Sequence, residues 1–314
     1  MSVRDPDIGR VLVTGGTGFV GGYIVRNLFE NGYDVRVIAR SNPRQTDNST
    51  NSGHYETVHG DILDSSALLK AAEGCDAIIH LVGIIEENPR RGVTFDSIHV
   101  EGTTNIVGAA RSVGARCFIH MSANGVAEHG PTAYQRTKWQ AENLVRNAGF
   151  ERWTIFRPSL IFGKPAPGRT EFGTRIIETL IKPFPIWPIP GRGEYRLQPV
   201  AVEDVATAFV NALGNQKHSG KTYCVGGPEN FTYIEILDML SRAIGKKPRP
   251  KLFQPIWAMR PIISLLAPTG ILPITPAQLE LLIGGNTCDS NEFRDEFGLQ
   301  LTPFGADSLS YLMD

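Results

Sequence analysis

The sequence predicts an α/β protein, a doubly wound parallel sheet joined to a smaller, mostly helical C-terminal cap. Two observations carry this. Short β-branched runs alternate with segments of helical spacing through the first half of the 314 residues. The first run, Val11-Leu12-Val13, passes into a glycine-rich turn that opens a helix. Strands and helices alternating at these lengths imply right-handed βαβ units, hence a parallel sheet covered on both faces.

The elements follow in order. After Val11-Leu12-Val13, a helix runs from about Phe19 to Asn31, and Gly32 is a suitable stop. Asp34 to Arg40 is β-branched and reads as the second strand. Tyr55 to His59 is a third strand, with a helix from Ser65 to Glu73 behind it. Ala77 to Val82 is nearly continuously apolar, as in a strand buried on both faces. Phe95 to Val113 has helical spacing, and Arg116 to Met121 is the next strand. Thr132 and Gln135 fit a capping box that starts a helix reaching Ala148. Trp153 to Phe162 closes this half as a strand.

The second half breaks the rhythm. Lys182 to Arg192 carries four prolines and cannot be regular throughout. Leu197 to Ala208 returns to strand then helix, Lys221 to Val225 is a strand, and Tyr233 to Ile244 is an amphipathic helix. The expected division is a nucleotide-binding core of residues 1–163 plus 196–228 and a substrate cap of 164–195 plus 229–314.

Composition removes several classes. Hydrophobic residues at 41% exclude wholesale disorder. Basic and acidic residues number 31 and 32, so there is no excess charge to hold nucleic acid. The four cysteines form no C-x-x-C pair and the seven histidines no H-E-x-x-H, so no metal site is expected. The N-terminal segment lacks the apolar core of a signal peptide, and no apolar run of spanning length occurs. The expected location is the cytoplasm.

The turn reads Thr14-Gly15-Gly16-Thr17-Gly18-Phe19-Val20-Gly21. Two frames fit it, one through Gly15, Gly18 and Gly21 and one through Gly16, Gly18 and Gly21. In either, the first glycine permits the tight turn, the second lets backbone approach a pyrophosphate, and the third lets helix pack against strand. The helix start then offers free N–H groups and a positive dipole end to that anion. The second strand ends Ile38-Ala39-Arg40-Ser41 with no carboxylate for the ribose hydroxyls of NAD. Arg40 can pair with a 2′-phosphate and Ser41 can add a hydrogen bond, so NADP(H) is expected over NAD(H).

Tyr134 and Lys138 stand four residues apart and share a helix face. A cation beside a phenol lowers its pKa and makes it a usable acid/base. Ser122 ends the preceding strand, at the edge where open α/β sheets bind ligands, and can hold a substrate carbonyl.

These motifs, with Gly60-Asp61-Ile62, His80-Leu81-Val82-Gly83 and Arg157-Pro158-Ser159, resemble the short-chain dehydrogenase/reductase superfamily in its extended or atypical branch, over about residues 8–228. The resemblance implies that Asp61 and Ile62 flank the adenine and that Leu81, Val82 and Gly83 lie under the cofactor. It also implies that Lys138 holds the nicotinamide ribose and that Pro158 starts the loop beside the nicotinamide. HLVGII, TFDSIHVEGTTNIVGAAR, RTKWQAE, TIFRPSLIFG, RLQPVAVEDVA and TPAQLELL are similar to bacterial relatives of the nucleotide-binding accessory subunit of respiratory complex I. One position departs. His99 stands where extended members carry the asparagine that orders a proton-relay water. Two functions follow as expectations: hydride transfer to or from the carbonyl or alcohol of an apolar small molecule, or a nucleotide-loaded structural or assembly role with little turnover.

Phe253 to Pro276 is apolar and punctuated by five prolines. Its large side chains fit cap core, the lining of a lipophilic pocket, or an outward surface for a protein partner or a peripheral place at the inner membrane.

Overall fold

The computed structural model of the protein describes residues 4–40, 55–266 and 274–313, apart from the side chain of Leu266. In chain order come β1 (Arg10–Thr14), α1 (Phe19–Glu30), β2 (Asp34–Ala39), β3 (Glu56–His59), α2 (Ser65–Ala72), β4 (Ala77–His80), α3 (Gly102–Ser112), β5 (Cys117–Met121), α4 (Ala133–Arg146) and β6 (Arg152–Pro158). Then follow β7 (Ile161–Phe162), α5 (Phe172–Ile176), β8 (Trp187–Pro190), β9 (Arg196–Leu197), β10 (Val200–Ala201), α6 (Val202–Gly214) and β11 (Lys221–Val225). The last elements are β12 (Phe231–Thr232), α7 (Tyr233–Ala243), β13 (Lys251–Gln254), α8 (Ile256–Leu266), α9 (Pro276–Ile283) and α10 (Asn291–Phe297).

Seven strands form one sheet in the order β11-β6-β5-β4-β1-β2-β3, every neighbouring pair parallel. The order reverses between β1 and β4, which opens a crevice at their carboxyl ends. Alternate residues explain why the strands are apolar throughout. Val11, Val13, Val37, Ile79 and Ile119 pack on one face against Ile24 and Leu28 of α1 and Phe209 of α6. Leu12, Ile78, Phe118 and Ile155 pack on the other against Leu68 of α2, Ile106 of α3 and Val145 of α4. Each such side chain contributes about 1.5–3 kcal/mol on burial. A third apolar cluster joins Phe162, Ile177, Trp187, Ile189, Ile236, Leu240 and Phe304.

The structure departs from the sequence reading at five places. The strand expected over 153–162 stops at Pro158, and β7 pairs with β10 in a separate sheet. Ser159 makes the break by donating its amide to Val225 O at 2.9 Å. The proline-rich stretch contains a short strand, β8, paired in a two-stranded sheet where missing proline donors are tolerated. Residues Asp96–Glu101 form a π-helical turn ahead of α3. The helix α8 runs through Pro261, which costs it one backbone bond near its start. Finally, Phe293, Phe297 and Leu301, placed in the C-terminal part by the sequence, join the sheet core beside Phe156 and Tyr223.

Candidate active site

The glycine turn leaves β1 at Thr14 and reverses at Gly15, whose φ of 78° suits glycine. This selects the frame through Gly15, Gly18 and Gly21. Gly16 has another task, since a Cβ there would meet Val37 methyls at 2.9 Å. At Gly21 a Cβ would lie 2.1 Å from Gly15 O, so helix and turn touch only because that residue is glycine. Gly18 begins α1 in an extended conformation, with no capping side chain and no acidic residue in the first turn. The Gly18 amide closes the turn on Gly15 O at 2.9 Å, and the amides of Thr17, Phe19 and Val20 are left for an anion. Leu81 donates to Thr14 O at 3.1 Å, which brings Leu81, Val82 and Gly83 alongside. The cradle fits a dinucleotide pyrophosphate.

At the far end of the crevice, Ile62 is buried and its carbonyl accepts Asn105 Nδ2 at 3.2 Å. The Asp61 carboxylate accepts the Leu63 amide at 2.9 Å. Arg40 is exposed after β2 and makes no hydrogen bond or ion pair with the described residues. Ser41 lies outside the described residues.

The capping box of Thr132 and Gln135 starts α4 and orients its inner face. Lys138 Nζ donates to Met121 O at 2.6 Å, next to Ser122. A Cβ on Gly83 would lie 3.6 Å from both Lys138 Nζ and His99 Nε2. The Tyr134 ring meets His99 edge-on at 5.4 Å and Phe95 at 5.7 Å. Ser122, Tyr134, Lys138 and Gly83 thus surround the ends of β4 and β5, beside the glycine turn. Pro158 follows on β6, its carbonyl held by the Asn124 amide at 2.9 Å.

The electrostatics differ from the expected pattern. Burial pushes the Tyr134 phenol up to about 12, and Lys138 is not among the groups that act on it. Burial pushes Lys138 down to about 8 against the pull of Glu142. The lowered tyrosine expected from the sequence is not found, because burial is what acts on the phenol and it favours the neutral form.

His99 is locked. The Thr137 hydroxyl donates to Ala133 O at 2.8 Å, so its oxygen accepts from His99 Nδ1 at 2.9 Å. That leaves Nε2 as the acceptor of the Ile84 amide at 3.1 Å. Burial and the Lys138 charge push His99 down to about 3, so the ring is neutral.

Further groups escaped the sequence reading. His80, at the end of β4, bridges Thr14 Oγ1 at 2.6 Å and Thr103 Oγ1 at 3.2 Å. It stacks on His120 at 5.2 Å, and neither His120 ring nitrogen has a partner among the described residues. Glu142 is fully buried and takes two bonds from Arg157, at 2.7 and 2.6 Å, and one from Arg146 at 2.6 Å. Burial raises its carboxyl, but those partners and Ser122 outweigh this and hold it below the usual carboxylate range. Its position four residues after Lys138 was the available signal. A cavity of about 580 Å³ elsewhere, bordered by Gln198, Gly227, Cys288 and Arg294, contains none of the predicted site residues. Among the described residues no three His, Cys, Asp or Glu side chains gather for a metal ion.

Sheet order and glycine turn together define a nucleotide-binding protein of the Rossmann class. Residues 11–226 match the model of the NAD dependent epimerase/dehydratase family, and the chain belongs to that family. It is 30% identical to the ceramide reductase of Caulobacter vibrioides, over 77% of this chain and 72% of that one. It is 27% identical to the mitochondrial NADH-ubiquinone oxidoreductase 40 kDa subunit of Neurospora crassa, over 81% of this chain and 65% of that one. It spans between 58% and 65% of the length of the three complex I relatives it matches. In fold it is similar to MoeE5 in complex with UDP-glucose and NAD, with a TM-score of 0.74 at 20% identity over 97% of each chain.

Proposed function

We propose that the protein is an oxidoreductase that prefers NADP(H) to NAD(H) and acts on the carbonyl or alcohol of an apolar small molecule. The supporting observation is that Lys138 lies beside Gly83 and bonds Met121 O next to Ser122, with Tyr134 against His99 on the same helix, near a glycine cradle shaped for a pyrophosphate. The bound dinucleotide supplies or takes the hydride. Ser122 then holds the substrate oxygen. Tyr134, a neutral phenol at working pH, donates the proton as that oxygen gains charge. Lys138 holds the ribose. His99 keeps Ile84 and Thr137 in place and relays no proton. In this reading residues 1–163 plus 196–228 hold the nucleotide, and 164–195 plus 229–314 supply the substrate cap, apart from Phe293, Phe297 and Leu301, which pack into the sheet core. The apolar substrate is supported by the similarity to an enzyme named for ceramide.

The preference for the phosphorylated cofactor rests on Arg40, exposed and unengaged by the described residues where the nucleotide ribose would lie. A charge-assisted contact there is worth about 1.5–3 kcal/mol. Arg40→Ala should therefore weaken NADPH by about ten- to a hundredfold in calorimetric titration and leave NADH nearly unchanged. Equal loss for both, or none, removes the assignment. One observation favours the structural reading, a nucleotide-loaded scaffold akin to the complex I subunits: His99 is committed to structural bonds where a relay residue is expected.

A further inference from the structure

Between Met239 and Leu279 the chain has six basic residues and no acidic one, although its overall net charge is −1. Within that stretch, large apolar side chains face water. Leu252 and Phe253 of β13 are 55% and 52% exposed, and Trp257 and Leu265 of α8 are each 78% exposed. Trp257, Pro261 and Leu265 form one stripe along α8, flanked by exposed Ile262. Ile263 points the other way and is buried. The helix therefore shows an apolar face outward as well as one inward.

Neighbouring chain extends the surface. The pairing of β13 with β8 brings up the exposed Ile186, just ahead of β8. Arg249 ties in exposed Phe184 by donating to its carbonyl. The charges sort into two kinds. Arg260 is neutralised by donating two bonds to Glu280, at 2.9 and 3.0 Å, and Lys251 by donating to Asp238 at 2.8 Å. Lys246 and Lys247, immediately before β13, are exposed and form no ion pair among the described residues.

Exposed apolar groups on α8, on β13 and just ahead of β8, in a stretch of chain that also carries unpaired lysines, match an anionic lipid surface, into which a tryptophan and aliphatic side chains insert while lysines meet headgroups. A second copy on the same face would set its own unpaired lysines against these. Among the described residues no helix is long and apolar enough to cross a bilayer. We propose that β13 and α8, with Phe184 and Ile186, dock the protein onto an anionic bilayer without spanning it. The proposal is independent of the cofactor and of the reaction.

Co-sedimentation of the full chain with large unilamellar vesicles tests this. The vesicles would be phosphatidylcholine alone or with about 30 mol% phosphatidylglycerol, in about 0.1 M salt. The wild type should sediment with the anionic vesicles and not with the neutral ones. Lys246→Gln with Lys247→Gln should weaken binding about 30-fold. Trp257→Ala with Leu265→Ala should weaken it at least tenfold. The emission difference between wild type and Trp257→Phe should shift to the blue with anionic vesicles only. All variants should keep the wild-type circular dichroism and NADPH affinity, since none touches the crevice. Absence of sedimentation with anionic vesicles overturns the proposal. So does binding unchanged in both double variants. Lipid-free dimerisation at micromolar concentration that Leu265→Glu abolishes overturns it in favour of self-association.

Discussion

Lys138 keeps only 4% of its surface exposed, whereas Trp257 and Leu265 keep 78% of theirs. The crevice thus removes an ammonium, three histidines and a carboxylate from water, and α8 leaves a tryptophan and a leucine in it. Each arrangement is unfavourable when judged alone. In the crevice the cost is offset locally for all of these groups but His120. Met121 O holds Lys138, Thr14 and Thr103 hold His80, and Arg157 and Arg146 hold Glu142. On α8 no group of the described chain offsets it. Burial of polar groups with partners marks a site complete within the chain, and exposure of apolar groups without partners marks one completed from outside.

The largest expected effect falls on the crevice. Tyr134→Phe should cost about 10²–10⁴-fold in turnover on any ketone or aldehyde the wild type reduces, with NADPH affinity retained in titration. If turnover survives, or if Tyr134→Phe fully restores a deletion strain, the crevice is a nucleotide seat and not a catalyst.

The buried histidines provide the next test. Burial pushes both His80 and His99 down to about 3. They are neutral when folded and take up protons when unfolded, so their stabilisation is full above about pH 6.5 and is lost as pH falls toward 3. At pH 5 each should have cost about 2 kcal/mol, visible as a lower urea midpoint than at pH 7.5. A midpoint flat between these values would mean that the rings are reached by solvent.

The smallest effects should separate the two faces of α8. Ile263→Ala should lower stability by about 2–4 kcal/mol in urea unfolding. Leu265→Ala, two residues on, should change it by no more than about 0.5 kcal/mol. Comparable losses would show that the outer stripe packs against protein in solution.

Much of the core was legible because its signals are local. The glycine turn, the alternating strands and the capping box of Thr132 each lie within a few residues, and the structure places them as read. What was not legible depends on distant partners. Nothing near Pro158 announces that Ile161 and Phe162 will pair with Val200 and Ala201. The tautomer of His99 follows from Thr137, 38 residues away. The tyrosine pKa was misread because spacing puts Lys138 on the right face but cannot show how deeply the phenol is buried. Helical spacing likewise identifies the stripe of Trp257 and Leu265 without saying whether it turns inward or outward.

The two faces of the sheet also reach completion at different moments of synthesis. The face covered by α2, α3 and α4 draws only on residues between Leu12 and Ile155. The opposite face waits for Phe293, Phe297 and Leu301 to settle beside Phe156 and Tyr223. At ribosomal speeds of about 5–20 residues per second, that interval lasts roughly 7–30 seconds. Through it the nascent chain carries a finished layer on one side and an unfinished one around Phe156 on the other, which is a substrate for chaperones. A chain stalled near residue 290 should bind them, and release should follow as soon as α10 has emerged.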